Sequence, residues 1–292
     1  MTLPRVTPLY SGNAAKELMR FAARRRDWIQ QGRCKIDRLL GAAIGLVAPP
    51  RCADCGREGH PWGGLRSVLP HLCLPCQAAA VPPEENRCSR CGGPVGPFID
   101  TARSCIHCRR DRFHFATVIR LGIYQSALGR MCLAAKQPHA EELAAALADL
   151  LWQRESQALC SVGAHLVIPV PHHWKENLRT SPHAPETMAA VLSRRLRVDL
   201  ATHILAKVRR TEKQFMLPPS RRRTNLKGAF HVPRRFHSDV EGRRILLVDD
   251  VLTTGATADE AARALLAAGA SAVAVTVIAR GLGKKPVLSR PG

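Results

Sequence analysis

The chain has 292 residues, of which 46% are hydrophobic, enough for one sizeable core and a smaller module beside it. Its charge of +21, from 44 basic and 23 acidic residues, favours phosphate-rich partners such as nucleic acid, nucleotides or pyrophosphate. The longest apolar run, Leu39 to Pro50, is 12 residues and ends in two prolines, too short for a bilayer span. An Arg- and Lys-crowded N-terminus without a cleavable apolar stretch leads to the expectation of a cytoplasmic protein.

Residues 1–47 form a basic extension, read as partly helical or disordered. Arg24-Arg25-Arg26 is interleaved with Leu18, Phe21, Trp28 and Ile29, which suits an amphipathic helix on nucleic acid or an acidic surface as well as a solvated arm. Residues 48–112 carry four CxxC pairs: Cys52/Cys55, Cys73/Cys76, Cys88/Cys91 and Cys105/Cys108. A CxxC turn presents two thiolates, and two turns complete a tetrahedral site. Taken in sequence, the pairs predict a double zinc ribbon with two structural Zn²⁺ ions, the first on Cys52, Cys55, Cys73 and Cys76 and the second on Cys88, Cys91, Cys105 and Cys108. His60, His71 and His107 lie close enough in sequence to be alternative ligands. Two loaded sites lower the net charge by about four, since eight thiolates outweigh two divalent ions. Cys34, Cys132 and Cys160 are isolated and read as plain buried or surface residues.

From residue 113 the pattern becomes alternating α/β. Strands are expected at Thr117–Tyr124, Leu166–Val170, Ile245–Val248 and Ala272–Ala279. Helices are expected at Glu141–Trp152, Thr187–Leu196 and Asp259–Ala268. Such alternation implies a mostly parallel sheet with helices on both faces and a ligand site beyond the carboxyl ends of the strands. Between Lys207 and Lys227 eight Lys or Arg residues face one Glu, and Pro218-Pro219 interrupts the run. It reads as a long mobile loop, either a solvated basic surface or a lid that brings cations over pyrophosphate.

The most informative stretch is Arg244 to Ala258, RILLVDDVLTTGATA. An apolar strand ends in Asp249 and Asp250, a Thr/Gly turn follows, and then a helix begins. Free N–H groups and the positive end of a helix dipole suit a phosphate monoester. Gly255 permits close approach, and Thr253, Thr254 and Thr257 offer hydroxyls beside the backbone of Ala256. The acids can accept ribose hydroxyls or hold water on Mg²⁺. The segment closely resembles the signature of type I phosphoribosyltransferases, which bind phosphoribosyl pyrophosphate (PRPP).

The tandem CxxC module, Ile168-Pro-Val-Pro171, Arg210-Thr211-x-x-Gln214-x-x-Leu217, Arg222-x-x-Asn225-x-x-Gly228-Ala229-Phe230 and LVDDVLTTGAT together resemble the ComF family. That resemblance implies a type I phosphoribosyltransferase-like sheet over residues 113–292, preceded by the zinc ribbons. It implies PRPP with Mg²⁺ as ligand and a role in uptake of single-stranded DNA during natural competence, with a competence helicase as a possible protein partner. Asp249 and Asp250 would stabilise the ribose centre, while Arg179, Arg210, Lys213 and Arg222 would meet pyrophosphate. Two segments depart from the family pattern: Arg179-Thr-Ser-Pro-His-Ala184 replaces an Arg-Gly-Phe-Asn-Gln run, and Lys136-Gln-Pro-His139 lacks a Gly after its Lys. Two functions follow, a phosphoribosyltransferase with an unidentified acceptor, or a non-catalytic PRPP or nucleotide sensor that binds DNA. Only 4% of residues are aromatic, so DNA contact would be mainly electrostatic.

Overall fold

In a computed structural model of the protein, residues 51–58, 71–81, 86–97, 99, 105–171, 183–209 and 224–282 are described. The N-terminal extension and the tip of the basic loop lie outside them. Residues 51–57 and the described chain from residue 71 onward belong to one compact unit.

A five-stranded sheet forms the centre. Its strands are β1 (Val118–Ile123), β2 (Leu166–Pro169), β3 (Asp199–Leu200), β6 (Arg244–Leu252) and β7 (Ala272–Arg280). The spatial order is β1-β7-β6-β2-β3, and every neighbouring pair is parallel. A parallel sheet buries both faces, so its strands read as continuous apolar runs. β1 and β2 are buried along their whole lengths. Alternation still sorts the side chains. Val167, Leu246, Val248, Ala274 and Ile278 enter one core with helices α2 (Ser126–Ala134), α3 (Glu141–Ser161) and α4 (Ala184–Leu196). Leu166, Ile168, Ile245, Leu247, Val273, Val275 and Val277 enter the other with α6 (Ala256–Ala267).

This order creates a switch point. The chain leaves β2 through α4 towards β3, on one face of the sheet. It leaves β6 through α6 towards β7, on the other face. The two connections diverge from adjacent strands and open a crevice beyond their carboxyl ends.

The short helix α1 (Leu74–Ala80) carries the third and fourth cysteines near its start, with Cys73 as its cap. Cys52, Leu72, Cys73, Cys76 and Ala80 join the α2/α3 core. The second tetrad makes a small cluster with Val95 and Phe113 packed on it. An antiparallel hairpin of β4 (Ala206–Lys207) and β5 (Phe230–His231) forms the base of the basic excursion. Its base is tied to α6, where Gly228 N–H donates to Glu260 Oε1 at 2.6 Å. After it comes α5 (His237–Val240). Among the described residues no helix is long and apolar enough to cross a membrane.

Candidate functional site

Strand β6 does not stop at Val248. It continues through both acids to Leu252, so Asp249 and Asp250 sit on the sheet rather than after it. Asp249 keeps its register partner Val277 on β7, and the acid side chains also take up backbone N–H groups. Asp250 N–H donates to Asp249 Oδ1 at 2.9 Å, and Val251 N–H donates to Asp250 Oδ1 at 2.7 Å. The helix likewise begins earlier than its sequence periodicity predicts, at Ala256, so only Thr253, Thr254 and Gly255 remain as loop. Gly255 has φ +79°, a left-handed conformation that side chains resist. It turns the chain from strand to helix in three residues. The first-turn N–H groups of α6 have no intrahelical acceptor and open into the hollow at the strand end. Thr254 Oγ1 lies 3.4 Å from Ala256 N. The hollow is lined by Asp249, Val251, Leu252, Thr253, Gly255, Ala256, Thr257 and Ala258.

Two carboxylates side by side need a cation or a proton. Lys136, just beyond α2, places its Nζ 2.9 Å from Asp250 Oδ2. Asp249 is pushed up to about 8, by burial first and then by the Asp250 charge, against the opposing pull of Lys136. One lysine on Asp250 and one raised carboxyl at Asp249 thus reduce the charge of the pair. Cys132 lies buried on α2, its thiol pushed up to about 12 by burial and by the Asp250 charge. It reads as an inert packing residue, as its isolation in the sequence suggests.

The phosphate-sized loop is fixed from behind by Arg280, the last residue of β7. Only 5% exposed, it donates from Nη1 to Leu252 O at 3.0 Å and also to Thr253 O and Gly281 O. Its Nε donates to Cys91 O at 2.8 Å. A charge at the end of an apolar strand must find partners, and that rule was the available signal for Arg280 and for Arg120, also buried, within VIRLGI. Lys136 carried only the weaker signal of a basic residue closing a helix.

The cysteines assemble as their order predicts. Cys52, Cys55, Cys73 and Cys76 form one group, and Cys88, Cys91, Cys105 and Cys108 form a second, with all sulfurs of each group within 4.8 Å of one another. No histidine joins either group among the described residues. A tetrahedron of about 2.3 Å bonds has edges of about 3.8 Å; the separations Cys55–Cys73 (3.7 Å), Cys91–Cys105 (3.5 Å) and Cys88–Cys108 (3.9 Å) match it. Each knuckle closes on the carbonyl of its first cysteine: Gly56 N–H to Cys52 O, Gln77 N–H to Cys73 O, Gly92 N–H to Cys88 O and Arg109 N–H to Cys105 O. Two cysteine tetrads can therefore hold metal ions. Arg179, Arg210, Lys213 and Arg222, together with His60 and Cys34, lie outside the described residues.

The phosphoribosyl transferase domain family matches residues 186–290, the portion that carries β6, the loop and α6. The chain is 30% identical over 247 residues to the DNA utilization protein YhgH of Escherichia coli O157:H7, covering 81% of this chain and 100% of that protein. It is 31% identical to the protein of the same name from Salmonella typhi, covering 72% of this chain and 91% of that one. Competence protein F of Haemophilus influenzae is 27% identical, covering 76% and 95%. Among solved structures, the allosteric regulatory enzyme of purine biosynthesis overlaps at 24% identity and TM-score 0.31, over 47% of this chain and 26% of that enzyme. An overlap so partial adds nothing to the assignment. The full-length likeness to YhgH and the matched domain place this chain in the ComF family of phosphoribosyltransferase-like proteins.

Proposed function

We propose that the hollow at the end of β6 binds the ribose 5-phosphate portion of PRPP, with Mg²⁺, and that the protein acts in the handling of single-stranded DNA. The observation that carries the reading is the junction of the Asp249/Asp250 pair with a three-residue loop that runs straight into α6. The 5-phosphate would sit on Thr253–Thr257, held by the first-turn N–H groups of α6 and by the threonine hydroxyls. Asp249 and Asp250 would hold the ribose diol. Bound Mg²⁺ would supply charge neutralisation to the pyrophosphate. Lys136 on Asp250 and the raised Asp249 reduce the charge of the acids, which suits hydrogen bonds with a diol. Zinc is the expected metal of both tetrads, since four thiolates and a closed tetrahedron describe its structural sites. The link to DNA rests on relatives named for DNA utilization and competence and on the charge of +21.

Thermal unfolding tests the pocket. A ligand at a hundredfold its dissociation constant stabilises by about 2.7 kcal/mol, so PRPP with Mg²⁺ should raise Tm clearly and ribose 5-phosphate should raise it less. No shift with either would remove the reading.

A further inference from the structure

The second cysteine tetrad and the phosphate loop are joined by more than proximity. Arg280 bridges them with one buried guanidinium, its Nε on Cys91 O at 2.8 Å and its Nη1 on the carbonyls of Leu252, Thr253 and Gly281. Its hydrogen bonds to the backbone run to these four carbonyls, and the side chain of Cys91 stands beside the guanidinium as well. Arg120, also buried, donates from Nε to Gly92 O at 2.5 Å in the same knuckle. Four thiolates around a divalent ion leave a charge of about −2, and these two arginines are the buried cations at its edge. A second link runs through Phe113. It packs on the second tetrad, and its ring stands 3.0 Å from where a Cβ on Gly255 would lie. The first tetrad instead packs into the α2/α3 core on the other face of the sheet.

We propose that the second tetrad and the phosphate loop act as one coupled unit through Arg280, so that a divalent metal on Cys88, Cys91, Cys105 and Cys108 and a phosphate monoester on Thr253–Thr257 each favour the binding of the other. Metal on the tetrad fixes Cys91 O, Cys91 O fixes the guanidinium, and the guanidinium fixes the carbonyl side of the loop whose N–H side faces the ligand. Arg280 is in this sense a positioning residue. The inference rests on the phosphate-site reading above.

Because coupling is reciprocal, it can be read on the unaltered full chain with both tetrads loaded. Metal release to a chromogenic chelator is followed with and without saturating ribose 5-phosphate, whose binding is measured separately by calorimetry. Release should occur in two phases, and ribose 5-phosphate should slow one of them by about tenfold while leaving the other unchanged. In Arg280→Lys, which keeps the charge but loses the planar fork, both metals should load, ribose 5-phosphate should bind about tenfold more weakly, and it should slow neither phase. Ribose 5-phosphate that binds yet alters neither phase, or slows both equally, overturns the coupling and leaves the phosphate site standing. Failure of the unaltered protein to bind ribose 5-phosphate overturns both. Should Arg280→Lys fail to fold, the unaltered chain decides alone.

Discussion

Asp249 and Asp250 are chemically alike, and their neighbours set them apart. Asp250 has Lys136 at 2.9 Å. For Asp249, burial and the like charge of Asp250 outweigh the Asp250 N–H and the pull of Lys136, and its carboxyl is pushed up to about 8. In the unfolded chain it would ionise near 3.8. Between those values the folded protein holds the extra proton, so this group's contribution is fully present below about pH 4 and is lost as pH rises through about 8. Asp249→Asn should flatten that decline, which denaturant unfolding across the window will check; an unchanged slope would place the raised carboxyl elsewhere. Lys136 pulls Asp249 downward, so Lys136→Met should move its titration upward, read from the carboxyl carbon shift by NMR. Charge neutralisation by Lys136 was hidden in the sequence because residues 136 and 250 meet only through the fold.

At the scale of elements, the turn from β6 into α6 depends on Gly255 at φ +79°, with Phe113 against it. Gly255→Ala should cost about 1–2 kcal/mol for the left-handed backbone alone and more from contact with the ring, seen as a lower denaturation midpoint. The order of elements was legible because buried parallel strands are continuous apolar runs and the CxxC pairs announce themselves. Boundaries were less so. α3 runs on to Ser161, past the apolar stripe that ends near Trp152, because Leu159 is buried further along the same core. α2 gives little local signal, since SALGRMCLA has no capping side chain and its buried stripe is short. Two-residue strands such as β3, β4 and β5 are pairings made by tertiary contact and leave no local pattern. β6 ran on through two acids that propensity would place in a loop, because its neighbour β7 continues alongside to Arg280. Of the candidate site, the acids, the loop and the eight cysteines were readable as motifs; Arg280 and Lys136 acquire meaning only from what they touch.

For the whole molecule, a charge of +21 makes electrostatic attraction the expected basis of the proposed single-stranded DNA binding. With about four phosphate contacts, affinity should fall roughly fiftyfold between 50 and 200 mM salt, measurable by fluorescence anisotropy; affinity indifferent to salt would point to base stacking instead. Chelating both metals should unfold the second pair of cysteine knuckles, whose cluster is little more than its four sulfurs with Val95 and Phe113 packed on it, and circular dichroism will follow it. The claim that joins these scales is that one pocket at the end of β6 takes PRPP. The most direct measurement is calorimetric titration of the metal-loaded protein with PRPP, with and without Mg²⁺, beside the Asp249→Asn/Asp250→Asn variant. Binding that strengthens with Mg²⁺ and falls by at least tenfold in the variant is the predicted result. Equal binding by the variant, or none by the intact protein, would contradict it.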